Sequence, residues 1–251
     1  MMRLLYLSAD PGVPVFGGKG ASVHVRAMAR GLHGLGHEVI LASPRVEPDA
    51  NELPAGVRCV EIPAVKPRDC ATAADVVARA ELQAAAVSEL ARSEGVHAIY
   101  ERHSLASFAG ARACAALGIP LVVEVNAPLR AEARRFRKLV HEPVALDAER
   151  ETFAAARRIF VVSAALAEWL SASGASPERI EVMGNAPPIR SFAPKPAIGE
   201  QSEMVVGFAG GLKRWHGIET LVQGFELALD AGAAMRLEVV GTGPAEDLLE
   251  R

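Results

Sequence analysis

Met2-Arg3-Leu4-Leu5-Tyr6-Leu7-Ser8 leads through the turn Gly17-Gly18-Lys19-Gly20 into Ala21-Ser22-Val23-His24-Val25-Arg26-Ala27-Met28. An apolar run, a glycine-rich turn and an amphipathic run in that order spell strand, loop and helix. The order returns at Met204-Val205-Val206-Gly207-Phe208-Ala209, followed by Gly210-Gly211-Leu212-Lys213. Two such openings predict two α/β domains facing a cleft, the first at residues 1–185 and the second starting at 204. The chain from Met204 onward is close to the floor of about 50 residues for an independent domain. The second sheet is therefore expected to be incomplete.

Between the two openings, short apolar runs alternate with longer helical patterns, as a parallel sheet with crossover helices requires. Strands are predicted at Arg3–Ser8, Glu38–Ala42, Arg58–Ile62, Ala98–Glu101, Pro120–Val125, Arg158–Val162 and Ile180–Val182. Helices are predicted at Ala21–Leu35, Ala71–Arg92 and Ala164–Ser171, the last with Ser163 as its N-cap. Residues 186–203, with Ala-Pro-Pro, Pro194 and Pro196, can continue neither helix nor sheet and read as a linker.

Composition removes several classes of function. The net charge of −3 provides no basic footprint for nucleic acid. Three cysteines, Cys59, Cys70 and Cys114, without C-x-x-C spacing argue against a disulfide framework or a structural zinc site, and point to a reducing, cytoplasmic setting. No apolar run approaches the roughly 20 residues of a membrane span. Arg130, Arg134, Arg137, Lys138 and His141 recur at near-helical spacing. They read as a solvated helix face or, functionally, as a basic patch for peripheral contact with an anionic membrane.

The loop from Pro11 to Ser22 carries Gly12, Gly17, Gly18 and Gly20. Its glycines let backbone amides converge on an anion at a helix start, so Gly17, Gly18, Lys19 and Gly20 are candidate phosphate-binding residues. A P-loop is excluded, because Gly20 follows Lys19 where Ser or Thr is needed. A nicotinamide dinucleotide fold is disfavoured, because Ala42-Ser43-Pro44 stands where an acid would hold the ribose. Tyr100-Glu101-Arg102-His103 crowds a strand terminus at the ligand-binding edge, and Glu124 and Asn126 end the next strand. Glu101, Glu124 and Asn126 are thus candidate cleft residues. Their spacing does not suit a metal, and none is expected.

Taken together, GGKGASVHVRAMARGL at 17–32, IYERHSL at 99–105, VVEVNAPL at 122–129, VVSAALAEWL at 161–170 and GFAGGLKRWHGIETL at 207–221 resemble family 4 retaining glycosyltransferases of the GT-B fold. The resemblance implies two Rossmann-like domains, an N-terminal one for the acceptor and a C-terminal one for the nucleotide sugar. It implies transfer from a nucleotide-diphosphate sugar to a glycan or lipid-linked acceptor with retention, and no further cofactor. It makes Arg102, His103 and Lys213 the candidate catalytic residues, and adds Gly211, Arg214, Gly241 and Gly243 to the donor site. The relatives' Arg and Lys positions after the second strand fall here on Gly211 and His216, so Lys213 is expected to supply the charge. The paired glutamates that grip the ribose in such enzymes lie further along than Arg251. The alternative expectation is a truncated or split transferase, inactive alone, that acts as an acceptor-binding module or as one half of a two-chain enzyme and self-associates or needs a second chain.

Overall fold

A computed structural model describes residues 1–47, 53–186 and 204–249. The predicted linker therefore lies, but for Ala186, outside the described residues. The chain divides into two compact units, Met1–Ile189 and Arg190–Arg251.

The first unit is one sheet of seven parallel strands: β1 (Arg3–Ser8), β2 (Glu38–Ser43), β3 (Val57–Glu61), β4 (Ala98–Arg102), β5 (Leu121–Val125), β6 (Arg158–Val161) and β7 (Ile180–Val182). They lie in the order β3-β2-β1-β4-β5-β6-β7. The predicted strands agree with these to within a residue at each end. The chain winds outward from β1 to β3, then crosses over to β4 and winds the other way. This reversal beside β1 is the topological switch point at which open α/β sheets bind ligands.

The pleat sorts side chains between two cores. Leu5, Leu7, Ile99, Val123 and Ile159 pack beneath α2 (Ala73–Ser93), α3 (Ala109–Leu117), α5 (Glu142–Ala155) and α6 (Ala164–Ala172). Tyr6, Leu41 and Tyr100 face the other way, toward Val25 and Ala29 of α1 (Gly20–Gly34). Local chemistry fixes the helix ends. Thr72 and Asp75 form a reciprocal capping box on α2, and the Ser163 hydroxyl accepts from the Leu166 amide at 3.3 Å, capping α6 as its sequence predicts.

The predicted basic stripe is not one helical face. Helix α4 (Leu129–Phe136) stops before Arg137, and His141 takes a left-handed conformation ahead of α5. Arg130 turns inward to Glu149 at 3.3 Å and Glu142 at 3.4 Å, and Arg137 lies 3.8 Å from Glu132. Ion pairing and the helix break disperse the charge that spacing alone suggests.

In the second unit, β8 (Met204–Ala209) and β9 (Met235–Val240) pair in parallel, joined by α7 (Ile218–Asp230). Leu212, Ile218 and Ala245 form a small core with Phe208, Val222 and Val239. Along β9, Leu237 and Val239 are half-buried and alternate with exposed residues. Arg236 and Glu238 pair at 3.0 Å and are exposed, as is Val240, so β9 alternates in the manner of a half-covered strand.

Candidate functional site

The first unit brings its polar residues together at the switch point. Glu124, at the end of β5, is almost fully buried, yet its carboxylate accepts four hydrogen bonds. Tyr100 Oη donates to Oε2 at 2.8 Å, while His24 Nε2 at 2.7 Å, Arg102 Nη1 at 3.3 Å and Asn126 Nδ2 all reach Oε1. Burial alone would make this carboxyl a weaker acid and raise its pKa. The bonds from His24, Asn126 and Tyr100 outweigh it and hold the carboxyl below the ordinary range. The Tyr100 phenol is driven upward, first by burial and then by the adjacent negative charge. Its ring meets Tyr6 edge to face at 5.4 Å. Asn126 in turn accepts from Asn185 Nδ2 at 3.2 Å.

Of the predicted strand-end residues, Arg102, Glu124 and Asn126 join this cluster, whereas Glu101 and His103 do not. Alternation along β4 sends both to the opposite face of the sheet. Glu101 is fully buried against α3, neither carboxylate oxygen has a side-chain partner, and burial pushes the group up to about 8. Gly110 makes room for it, since a Cβ there would lie 2.1 Å from Oε2. The expectation that Glu101 lines a ligand cleft is therefore corrected. His103 packs its ring 5.0 Å from that of Phe153, and burial, aided by Arg102, brings it down to about 4, so it is neutral at pH 7. His24 had no local signal. It stands a hundred residues from Glu124 in the sequence, and only the crossing of α1 over the sheet joins them.

The glycine loop lies after β1. Arg26, itself buried, donates to the carbonyls of Val15 at 2.6 Å and Gly17 at 3.0 Å, and Lys19 Nζ donates to the Gly12 carbonyl at 3.1 Å. None of Gly12, Gly17, Gly18 and Gly20 has a positive φ, contrary to the reason the sequence suggests for them. Gly17 is needed for space, because a Cβ would meet Pro14 Cγ at 2.7 Å and Ser22 Oγ at 2.9 Å. At Gly18 and Gly20 a Cβ would meet nothing within 4 Å. No side chain caps α1, and the buried Ser22 hydroxyl in its first turn lacks a partner. The loop thus leaves the helix's first amides without a side-chain cap, and a side chain at Gly18 or Gly20 would project into open space.

In the second unit the glycines answer to backbone proximity. Gly210 and Gly241 have φ of +154° and +151°, and a Cβ on Gly241 would fall 1.8 Å from the Gly210 oxygen. A Cβ on Gly243 would fall 2.4 Å from the Leu212 oxygen. His216 Nδ1 lies 2.6 Å from the Gly211 carbonyl oxygen, and Arg214 is 3.9 Å from Asp247 with both side chains exposed. Among the described residues Lys213 makes no side-chain hydrogen bond or ion pair, so its ammonium is available.

Among the described residues no three His, Cys, Asp or Glu side chains are grouped to hold a metal ion, and no helix is long and apolar enough to cross a membrane. Residues 18–187 match the family model described as Glycosyltransferase Family 4. No curated protein matches the chain. Solved structures do, at low identity. Sucrose-phosphate synthase from Thermosynechococcus elongatus superposes with a TM-score of 0.66 at 16% identity, covering 96% of this chain and 62% of its own. HepE of Anabaena, solved with UDP and glucose, gives 0.59 at 16% identity, covering 100% of this chain and 64% of its own. The lipopolysaccharide outer core galactosyltransferase WaaB gives 0.58 at 14% identity, covering 99% and 64%. The chain thus spans a little over three-fifths of these structures, and the likeness is one of fold: parallel α/β, of the GT-B type.

Proposed function

Since the chain belongs to the glycosyltransferase family that this model describes, we propose that it takes part in transferring a hexose-like unit from a nucleotide-diphosphate sugar to a glycan or lipid-linked acceptor, with retention at the anomeric carbon. The observation that carries the donor class is the open first turn of α1. Uncapped amides, an unpaired buried Ser22 hydroxyl and clear space over Gly18 and Gly20 suit an anionic group such as a diphosphate.

Chemically, the departing diphosphate gains negative charge as the sugar becomes oxocarbenium-like, and amide donors and cations at the phosphates stabilise that state most where they are pre-set. Gly18 to Gly20 would supply amides, the Gly17 amide being committed to the Pro14 carbonyl at 3.3 Å. Lys213 and Arg214, with the backbone about Gly211, Gly241 and Gly243, would supply donors from the second unit, without a metal ion. Arg102, held by Glu124, is the strand-end cation of the first unit, while His103 stays a packing residue. An acceptor linked to a lipid would place the reaction at the cytoplasmic surface of a membrane, reached from solution.

Calorimetry with UDP-, GDP- and ADP-sugars tests the reading. One of the panel should bind, and Gly18→Val should abolish that binding by filling the space before the amides, while shifting stability by no more than about 1 kcal/mol. Lys19→Ala should weaken binding less, because its ammonium is turned onto Gly12. Binding unchanged by Gly18→Val would assign the loop a purely structural role.

A further inference from the structure

Beyond Asn126 the C-terminal edge of the sheet opens into a groove of about 300 Å³, walled in part by Asn126, Pro128, Glu132, Ser163, Leu166 and Trp169. Every one of these residues lies in the first unit, on the segment that runs from the end of β5 into α4 or on the one that runs from the end of β6 into α6. The volume sits at the small end of the roughly 300–1,000 Å³ typical of ligand pockets, which is room for one ring and not for a chain.

The lining is two-sided. Pro128, Leu166 and Trp169 offer apolar surface, while Asn126, Glu132 and Ser163 offer an amide, a carboxylate and a hydroxyl. No Lys, Arg or His lines the groove, so a phosphate or carboxylate would enter with no counter-charge and face Glu132. An acyl chain would cover three polar side chains and return no hydrogen bond to them. A neutral ring with one apolar face and hydroxyls around its edge meets both sides. Asn126 has capacity for it: one N–H is committed to Glu124, leaving the second free.

We propose that this groove binds one neutral hexopyranose unit of the acceptor, its C–H face against the Trp169 indole and its hydroxyls on Asn126 and Glu132. The word acceptor rests on the transferase reading above; the sugar site itself does not. Asn126 then joins the bound sugar to the Glu124 cluster through a single side chain.

Trp169 and Trp215 are the chain's two tryptophans. In a Trp215→Phe background Trp169 is the sole indole emitter, and methyl glycosides of glucose, galactose and mannose serve as probes. At least one should give a saturable emission change, with Kd of about 1–10 mM as befits one ring in an open groove. Ala165→Phe, which enlarges an exposed residue on one wall, should weaken that binding about tenfold or more, and Glu132→Ala should do so from the other wall. Either variant suffices if its partner fails to fold. The proposal falls if no glycoside gives a saturable change, if a folded variant binds as its parent does, or if uridine or octanoate shifts the emission and the glycosides do not. The nucleotide-sugar calorimetry separates the two ideas. Glycoside binding without donor binding keeps the groove and removes the transferase reading, and donor binding without a glycoside response does the reverse.

Discussion

Glu101 and Glu124 end neighbouring strands one register step apart, and both are almost completely buried. Glu124 falls on the face shared with Tyr100 and Arg102 and is met by four donors; Glu101 falls on the face of α3 and has no side-chain partner. Burial works against charge in both, so the donors alone decide the outcome: Glu124 is held ionised, and Glu101 is pushed up to about 8. Depth therefore says little about function at this edge of the sheet. The set of partners says more: it gives the Glu124 face a connected polar cluster and leaves Glu101 without a side-chain partner on the other.

The largest effect is expected at Glu124→Ala. Removing the shared acceptor leaves Arg102, Tyr100 and His24 without their common partner in a largely buried site, and loss of one partner from such a cluster costs about 3–5 kcal/mol. Urea unfolding of the variant measures it. A loss under about 1 kcal/mol would erase the distinction between the two carboxyls, since surface ion pairs are worth that much.

Next comes the pH dependence of Glu101. Its folded value lies above an unfolded carboxylate's value of about 4.3, so the folded chain holds the extra proton in between. That contribution is complete below about pH 4 and is lost as pH rises toward 8, by about 1.4 kcal/mol per unit and a few kcal/mol in all. Glu124 runs the other way, its contribution being present above the unfolded value and lost as pH falls through the folded one. Glu101→Gln should leave stability at pH 4 unchanged and raise it at pH 9, flattening the upper limb of the profile. An unaltered slope between pH 5 and 8 would mean that Glu101 is already solvated or paired.

The smallest of the three is Gly110→Ala. Its methyl group would collide with the Glu101 carboxylate, and overpacking of this kind costs about 1–3 kcal/mol. Glu101→Ala in the same chain should recover most of the loss, and a double-mutant cycle with no coupling would place the carboxylate elsewhere.

Much of this architecture was legible in the sequence. β1 and β7 match their predicted bounds, and Ser163 caps α6, because apolar alternation, glycine punctuation and hydroxyl caps are local signals. The candidate site was legible in part. Tyr100-Glu101-Arg102-His103 read as one polar crowd, although the period of two along a strand already divides it into Tyr100 with Arg102 and Glu101 with His103. His24 could not be read, since its partner is a hundred residues away and nothing in Ser22-Val23-His24-Val25 separates a buried contact from a solvated one. For Gly18 and Gly20 the sequence suggests a conformational reason that the backbone does not support; empty space is their property. The stripe from Arg130 to His141 misled because helical spacing persists in the letters beyond Phe136, where the helix does not.

In the second unit, the loops after β8 and β9 are laced together. The Gly210 amide bonds to the Val240 carbonyl at 2.9 Å, the Leu212 amide to Thr242 at 3.0 Å, and the Ala245 amide to Leu212 at 3.2 Å, with Gly241 and Gly243 giving the two backbones room to touch. Neither loop can therefore change length by itself. A residue inserted in one would slip its amides past the carbonyls of the other, so these turns tolerate substitution at their rims but not insertion. Their amides should also lose protection against hydrogen exchange as one group, opening together as a single cooperative clasp.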